Sequence, residues 1–284
     1  MKANWKHVLM VALAVALAAP LTPAQSQSQG QQPPKPPAQG QNPPAPPAPT
    51  PAEPAAPPVN EEEEKAYKAF YDLPKTENQR TAEAGEDFLK KFPESRYKEA
   101  VFTKLVNTYL SLEQIDKMYQ TGEKALELNP NNADVLAVVS WAVPRRWDAK
   151  ALGAQEQLTK VEGYGKKAIE VIEAMPKPET MTEEDFTKAK ADKLSMAHSG
   201  LGVVHYHRQR FADMATELET ATKLSTSPDP VDFYLLAIAY QQVRRFGDAA
   251  TAYEKCSEAG PVTAQCKSGA ATAKKMAAAM APKQ

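Results

Sequence analysis

A set of residues that recurs at fixed distances is the feature that most constrains how this chain can fold. Around each of three anchor residues, Tyr109, His205 and Tyr240, a ring lies seven positions earlier and a leucine four earlier, with a small residue sixteen positions later. The sets, with the residue twenty-one positions after the anchor, are Phe102, Leu105, Ala125 and Pro130; His198, Leu201, Ala221 and Thr226; and Phe233, Leu236, Cys256 and Pro261. Spacings of three, four and seven residues place side chains on one helix face. Each set therefore predicts a pair of helices, and such pairs must stack because one pair cannot bury its own apolar face.

These positions resemble the Trp-x-x-Leu-Gly-x-x-Tyr…Ala…Pro pattern of tetratricopeptide repeats, whose period is about 34 residues. Gly202 fills the glycine position, Ala237 is an acceptable substitute, and Val106 departs from the pattern. The resemblance covers most of residues 61–280 and implies an all-α, right-handed α-solenoid with a C-terminal capping helix. Five hairpins are expected, at about 61–96, 97–132, 133–178, 181–228 and 229–261.

Local signals place several helix ends. Asn60 is expected to cap the first helix, in which Tyr67, Phe70 and Tyr71 form one apolar face. The third hairpin is irregular: its first helix is expected to break at Pro144 and its second to resume near Gln155. The fourth is expected to open early, with a capping box from Thr182 to Asp185.

The N-terminus has the pattern of a secretory signal peptide. Lys2 and Lys6 precede an apolar run of 12 residues, Val8–Ala19, which is shorter than the ~20 that a spanning helix needs. We expect cleavage after Ala24, with Ala18 as a second candidate. The alternative is an uncleaved segment that tethers the protein to the inner membrane. No cysteine lies near the cleavage zone, which excludes a lipoprotein anchor.

Residues 25–59 are rich in Pro, Gln and Ala and carry almost no large apolar side chain, so we expect them to be disordered. Their prolines favour a polyproline II spacer, which is either a passive stalk or a ligand for a proline-binding module. The predicted domains are a signal peptide at 1–24, this linker at 25–59, the repeat array at 60–262, and a capping helix and tail at 263–284.

The charge balance argues against nucleic-acid binding. The chain has 34 basic and 35 acidic residues, scattered at helical spacings rather than gathered on one basic face. Loss of residues 1–24, which contain two lysines, would leave 32 basic and 35 acidic groups, a net charge of −3.

Cys256 and Cys266 are the two cysteines, and in an exported protein an even count favours a disulfide. They lie at similar distances from the turn at Gly260 and Pro261, so two antiparallel helices would bring them together. The alternative is that Cys256 is a small core residue in the alanine position.

No catalytic motif is present, so we expect no enzyme activity, no cofactor and no small-molecule substrate. His198, His205 and His207 are a poor metal site, because the first two occupy ring positions of the repeat and no further ligand lies at a suitable spacing.

The resemblance implies a concave groove lined by the first helix of each hairpin. The partner-binding candidates carried onto this sequence are Asn107, Trp141, Arg145, Tyr206, His207, Tyr234 and Gln241. The alternative is that these residues pack against an inserted loop or a neighbouring helix. The most suggestive cluster consists of Trp141, Arg145, Arg146 and Trp147, since Trp and Arg are common interface anchors. The alternative is that the tryptophans belong to the core and the arginines are solvated beside the helix break.

The function that these expectations favour is a non-catalytic scaffold or adaptor that binds protein or peptide segments. The stretch 88–97 is also similar to bacterial envelope members of the family, which implies a periplasmic or secreted protein with a cell-envelope partner. A structural spacer that works through its convex face and proline-rich stalk is the alternative, and a metal-binding sensor is a third class.

Overall fold

The computed structural model describes residues 60–258 and 260–280. The predicted signal peptide and linker lie outside the described residues. The described residues form eleven α-helices and no strand, which confirms the all-α fold class. The helices are α1 (Glu61–Tyr71), α2 (Asn78–Lys91), α3 (Lys98–Ser111), α4 (Ile115–Leu128), α5 (Ala133–Arg145), α6 (Ala154–Ala174), α7 (Glu183–His207), α8 (Phe211–Leu224), α9 (Pro230–Gln242), α10 (Phe246–Ser257) and α11 (Thr263–Met280).

The helices pack in chain order. Each odd-numbered helix from α1 to α9 contacts the helix that follows it, and each such hairpin contacts the next. The predicted caps are present at two hairpins: the Asn60 side chain accepts from the backbone of Glu62 and Glu63, and Thr182 accepts from that of Asp185. Within the described residues, no helix is long and apolar enough to cross a membrane.

The three anchor residues found by spacing are equivalent in three dimensions. Four residues after each anchor, the backbone enters the left-handed region, and the next N–H donates to the carbonyl of the anchor. The left-handed residues are Glu113 (φ 57°), Gln209 (φ 57°) and Arg244 (φ 63°). The bonds join Gln114 to Tyr109 (2.9 Å), Arg210 to His205 (2.9 Å) and Arg245 to Tyr240 (2.8 Å). This is the Schellman ending of a helix, and its recurrence establishes the register of the repeat.

The anchors also link neighbouring hairpins. Tyr109 Oη donates to Glu86 on α2 (2.6 Å), and Tyr240 Oη donates to Glu219 on α8 (2.8 Å). Burial, reinforced by the Glu219 carboxylate, raises the pKa of Tyr240 above its usual range. At the remaining anchor, His205, Arg210 donates to the ring Nδ1 and also pairs with Glu162 on α6 at 3.2 Å. Each anchor is therefore fastened to the second helix of the preceding hairpin.

The third hairpin differs from the prediction at Pro144. Helix α5 continues to Arg145, so Pro144 lies within its last turn instead of ending it. Proline lacks an N–H and cannot donate to the carbonyl of Ser140, and a helix tolerates this loss near its C-terminus. The second helix resumes at Ala154, after Gly153 in the left-handed region (φ 73°).

Helix α11 covers the last hairpin. Cys256 and Cys266 are joined as a disulfide between α10 and α11, with Cα atoms 5.9 Å apart, and both residues are fully buried. Nearby, the Tyr253 ring lies so close to Gly269 that an added Cβ would be 2.6 Å from it. The disulfide and this close packing fasten α11 to the array.

Reduction of the disulfide is expected to lower the free energy of unfolding by about 2.5 kcal/mol, because the bond closes a loop of about ten residues in the unfolded chain. Urea unfolding with and without a reductant measures the change. The Cys256→Ala/Cys266→Ala double variant is the control, and its midpoint should not respond to the reductant. A midpoint of the unmodified protein that is equally unresponsive would contradict the prediction.

Candidate functional site

The seven predicted groove residues lie on the first helices of four hairpins, α3, α5, α7 and α9. Their surroundings divide them into residues that face solvent and residues that are engaged inside the array. Three other residues of these helices are buried and line no surface, namely Ala137 on α5 and Ser199 and Val203 on α7.

Asn107 on α3 is exposed. Its side-chain amide donates to the carbonyl of Thr103, one turn earlier, at 3.1 Å. The amide oxygen of Asn107 forms no hydrogen bond within the described residues, so the side chain can accept one from a ligand without losing an internal contact.

Arg145 is an internal residue, contrary to its predicted part in an open groove. Its side chain is 6% exposed and so is that of Asp232 on α9, and the two form an ion pair at 2.8 Å. Ser199 on α7 accepts from Arg145 at 2.5 Å and donates to Asp232 at 2.7 Å. This triad, Arg145–Ser199–Asp232, joins three first helices through one buried contact.

Burial of the two charges of the triad has an energetic cost. Burial raises the pKa of Asp232, and the Arg145 guanidinium and the Ser199 hydroxyl oppose the rise. Arg145 Nε is buried and forms no hydrogen bond within the described residues. Buried ion pairs of this kind contribute little net stability but fix a geometry, since either partner alone would be an uncompensated charge.

Trp141 is half-buried, one turn before Arg145 on α5. The Arg145 guanidinium lies 4.5 Å from the centroid of the Trp141 ring, and Nη1 donates to the Trp141 carbonyl at 2.7 Å. The buried triad therefore also holds the tryptophan, and Arg145 is best described as a positioning residue for this part of the surface.

His207 is engaged at the end of α5. Its Nε2 donates to the carbonyl of Pro144 at 2.7 Å, and its ring centroid lies 4.6 Å from that of Trp147. Burial lowers the pKa of His207, which favours the neutral ring. The Tyr206 ring, half-buried, lies 5.5 Å from His207 in an edge arrangement. His207 thus packs inside the array against the end of α5, whereas the Tyr206 ring is partly exposed.

Tyr234 and Gln241 on α9 are half-buried and lie beside α10. Tyr253 Oη donates to the side-chain oxygen of Gln241 at 2.7 Å, and its ring centroid lies 6.1 Å from that of Tyr234. Burial raises the pKa of Tyr234, with a smaller contribution from Tyr206. The nearby Tyr206 extends this aromatic group toward α7.

A second aromatic surface lies at the first hairpin, where the sequence pattern predicted one apolar face on the first helix. Phe70 is 2% exposed but Tyr71 is 56% exposed, so the predicted apolar face of α1 divides into a buried and a solvent-facing part. The Tyr67 ring stacks on Tyr97 with centroids 3.9 Å apart and lies 5.6 Å from Tyr71. We refer to Tyr67, Tyr71 and Tyr97 as the tyrosine surface.

The tyrosine surface lines an open cavity of about 600 Å³. Charged residues of both signs surround it, namely Glu61, Glu64, Lys65, Lys68 and Asp72. Glu64 accepts from Tyr97 Oη and pairs with Arg96, which fixes one wall. Lys104 of α3 donates to the carbonyls of Phe70 (3.1 Å) and Tyr71 (2.6 Å) and so holds the end of α1.

Metal ligands are not gathered in the described residues, where no group of three or more His, Cys, Asp or Glu side chains is arranged to hold an ion. His198 instead contacts the Glu217 carboxylate through Nδ1 at 2.7 Å. His205 is buried against Arg210, and burial lowers its pKa.

Comparison with known proteins gives similarity in fold at low sequence identity. No family model matches the chain, and no curated protein matches it. A thermophilic TPR protein of Thermus thermophilus is 18% identical, with a TM-score of 0.46, and the match covers 75% of this chain and 99% of that one. PilW, a widely conserved type IV pilus biogenesis factor, is 15% identical, with a TM-score of 0.49 and coverages of 78% and 93%.

A tetratricopeptide repeat protein from Parabacteroides merdae is 15% identical, with a TM-score of 0.34 and coverages of 79% and 95%. These values establish no shared function. The chain is an array of helical hairpins, similar in fold to tetratricopeptide-repeat proteins. This follows from its own helices and from the equivalence of positions 109, 205 and 240.

Proposed function

We propose that this protein is a non-catalytic scaffold that binds a segment of another protein along the first helices of its hairpins. The observation that carries the proposal is the tyrosine surface, with its cavity of about 600 Å³ bordered by charges of both signs. Aromatic side chains dominate the energetics of protein interfaces.

The chemistry of this surface favours a peptide over a small charged metabolite. Tyrosine rings offer large apolar faces at a small entropic cost, and their hydroxyls pair with backbone groups. The adjacent carboxylates and ammonium groups lie on α1 or, for Asp72, directly after it, and they are partly paired with each other, as Lys68 is with Asp72 at 2.8 Å. Because charges of both signs border the cavity, they can pair with acidic and with basic side chains of a bound segment.

Asn107, Trp141 and Tyr206 offer further contacts on α3, α5 and α7. The buried triad supports this part of the surface, because it fixes Trp141 and the helices on either side. An extended segment that starts at the tyrosine surface and runs along these helices would meet an amide and then two partly exposed rings. Side chains that are already held in place lose less conformational entropy when a partner binds.

We further propose an exported location, periplasmic or secreted, with a cell-envelope partner. The signal-peptide pattern of residues 1–24 supports this, as does the pairing of Cys256 with Cys266, because disulfides persist in oxidising compartments. The structural spacer remains the alternative, in which the convex face and the proline-rich stalk make the contacts instead of the groove.

A displayed peptide library selected against the purified protein tests the proposal. Peptides that bind should lose at least about tenfold in affinity on Tyr71→Ala, since an exposed aromatic anchor is worth more than about 1.4 kcal/mol. Leu128→Ala is the matched control: Leu128 is 49% exposed but lies on the second helix of its hairpin. Binding that survives Tyr71→Ala and Asn107→Ala, or that falls with Leu128→Ala, would contradict the proposal.

A further inference from the structure

The two ends of the array differ in what covers them. At the C-terminal end, α11 lies on α10 and closes the last hairpin. At the N-terminal end, no helix of the described residues covers the groove between α1 and α2. We call this the N-terminal groove, a cavity of about 270 Å³ whose apolar lining includes Ala66, Ala69, Leu73, Ala84, Phe88 and Phe92.

The N-terminal groove faces away from the rest of the array. The opposite side of α2 packs on α3, where an added Cβ at Gly85 would lie 2.7 Å from Leu105. Phe88 and Phe70 are buried between the helices, whereas Ala69 is exposed. The groove is thus where a further helix would stack if the array continued.

Helix α11 presents the other end of the array to solvent. Its buried stripe consists of Cys266, Ala270 and Ala273, which pack on α10. The outward side is exposed, and it combines small apolar residues with lysines and one methionine. These residues are Ala264, Lys267, Ala271, Lys274, Lys275 and Met276.

The two ends carry opposite charge. Residues 61–91, which form the first hairpin, contain nine acidic and six basic residues, a net charge of 6 − 9 = −3. Helix α11 contains three lysines and no acidic residue, a net charge of +3. The groove lining also contains Arg80 and Lys91, which pair with Glu77 and Glu62, and Lys274 on α11 pairs with Glu254. Asp87 in the lining and Lys275 on α11 form no ion pair within the described residues. Both remain available to a partner of opposite charge.

We propose that α11 of a second copy occupies the N-terminal groove, so that molecules join head to tail. The small residues on the outward side of α11 would approach the groove closely, and its lysines would lie near the acidic first hairpin. Two different faces meet in such a contact, so it is heterologous and leaves a free face at each end. This self-association is separate from the proposed peptide binding and does not depend on it.

Analytical ultracentrifugation of the full chain and two variants tests the proposal. The mean mass of the unmodified protein should rise with concentration up to about 100 µM. Ala84→Glu, which blocks the groove, and Ala271→Glu, which blocks α11, should each give monomers. An equimolar mixture of the two variants should form dimers and nothing larger, because each variant retains one intact face.

Ala212→Glu, at an exposed position on α8, is the matched control and should assemble like the unmodified protein. Asp87→Lys is a second groove variant that changes only an exposed side chain, and it serves if Ala84→Glu does not fold. Asp87→Lys should weaken assembly about tenfold, and the effect should be smaller at high salt. A monomeric unmodified protein, assembly that persists in Ala271→Glu, or a mixture that stays monomeric would each overturn the proposal.

Discussion

Replacing Asp232 by alanine is expected to lower the free energy of unfolding by about 3–5 kcal/mol, the largest single effect that this fold predicts. The substitution leaves the Arg145 guanidinium buried without its carboxylate partner, and Ser199 loses the acceptor to which it donates at 2.7 Å. Urea unfolding followed by circular dichroism measures the change.

The double variant Arg145→Met/Asp232→Leu distinguishes an unpaired charge from lost packing. If the cost of Asp232→Ala comes from the charge that remains, removal of both charges should restore most of the stability, because buried pairs can be replaced by apolar residues of similar volume. A double variant as unstable as Asp232→Ala, or a single variant that costs less than about 1 kcal/mol, would contradict this account of the triad.

Gly200→Ala is expected to cost about 3 kcal/mol, the upper end of the usual range for overpacking. An added Cβ would lie 2.2 Å from the carbonyl oxygen of Ser140 and 2.9 Å from the backbone nitrogen of Trp141. These are backbone atoms, so no side-chain rotation relieves the clash and α7 must move away from α5. The Ser140 carbonyl is also the one to which Pro144 cannot donate.

Gly163→Ala in α6 is the matched control, with the opposite sign. Nothing lies within 4 Å of a Cβ added there, so alanine should stabilise the helix by about 0.5–1 kcal/mol through its higher helix propensity. Thermal unfolding of the two variants should move the midpoint in opposite directions. Equal midpoints would show that α5 and α7 do not cross as closely as the structure places them.

The repeat itself could be predicted from the sequence because its determinants are local. The anchors and their offsets act within one hairpin, and helical periodicity reveals them. The equivalence of Tyr109, His205 and Tyr240 could therefore be predicted from the sequence. The glycine position of the repeat could be predicted as well, and there Gly202 leaves room for the Leu218 side chain of α8.

The buried triad could not be predicted in this way. Arg145 and Asp232 are 87 residues apart in the sequence, and no periodic pattern links them. Each resembles a surface residue when only its helix is considered. The prediction that Arg145 lines the groove is wrong for this reason, since burial of its charge depends on two other helices.

The tyrosine surface was missed for a related reason. Tyr67, Phe70 and Tyr71 have the spacing of one buried face, and in the middle of an array a preceding hairpin could have covered all three. No helix precedes α1 in the described part of the chain, so Tyr71 faces solvent there. The position of a hairpin within the array, rather than its pattern, decides which of its apolar residues form a surface.

Site-specific photo-crosslinking in cells that express the full chain tests the central claim most directly. A photo-reactive residue at position 71 or 206 probes the first helices, and one at position 128 or 152 probes exposed leucines elsewhere. We expect the same protein to be captured from positions 71 and 206 and not from 128 or 152. Capture from position 128 or 152 alone would contradict the claim and favour the structural spacer.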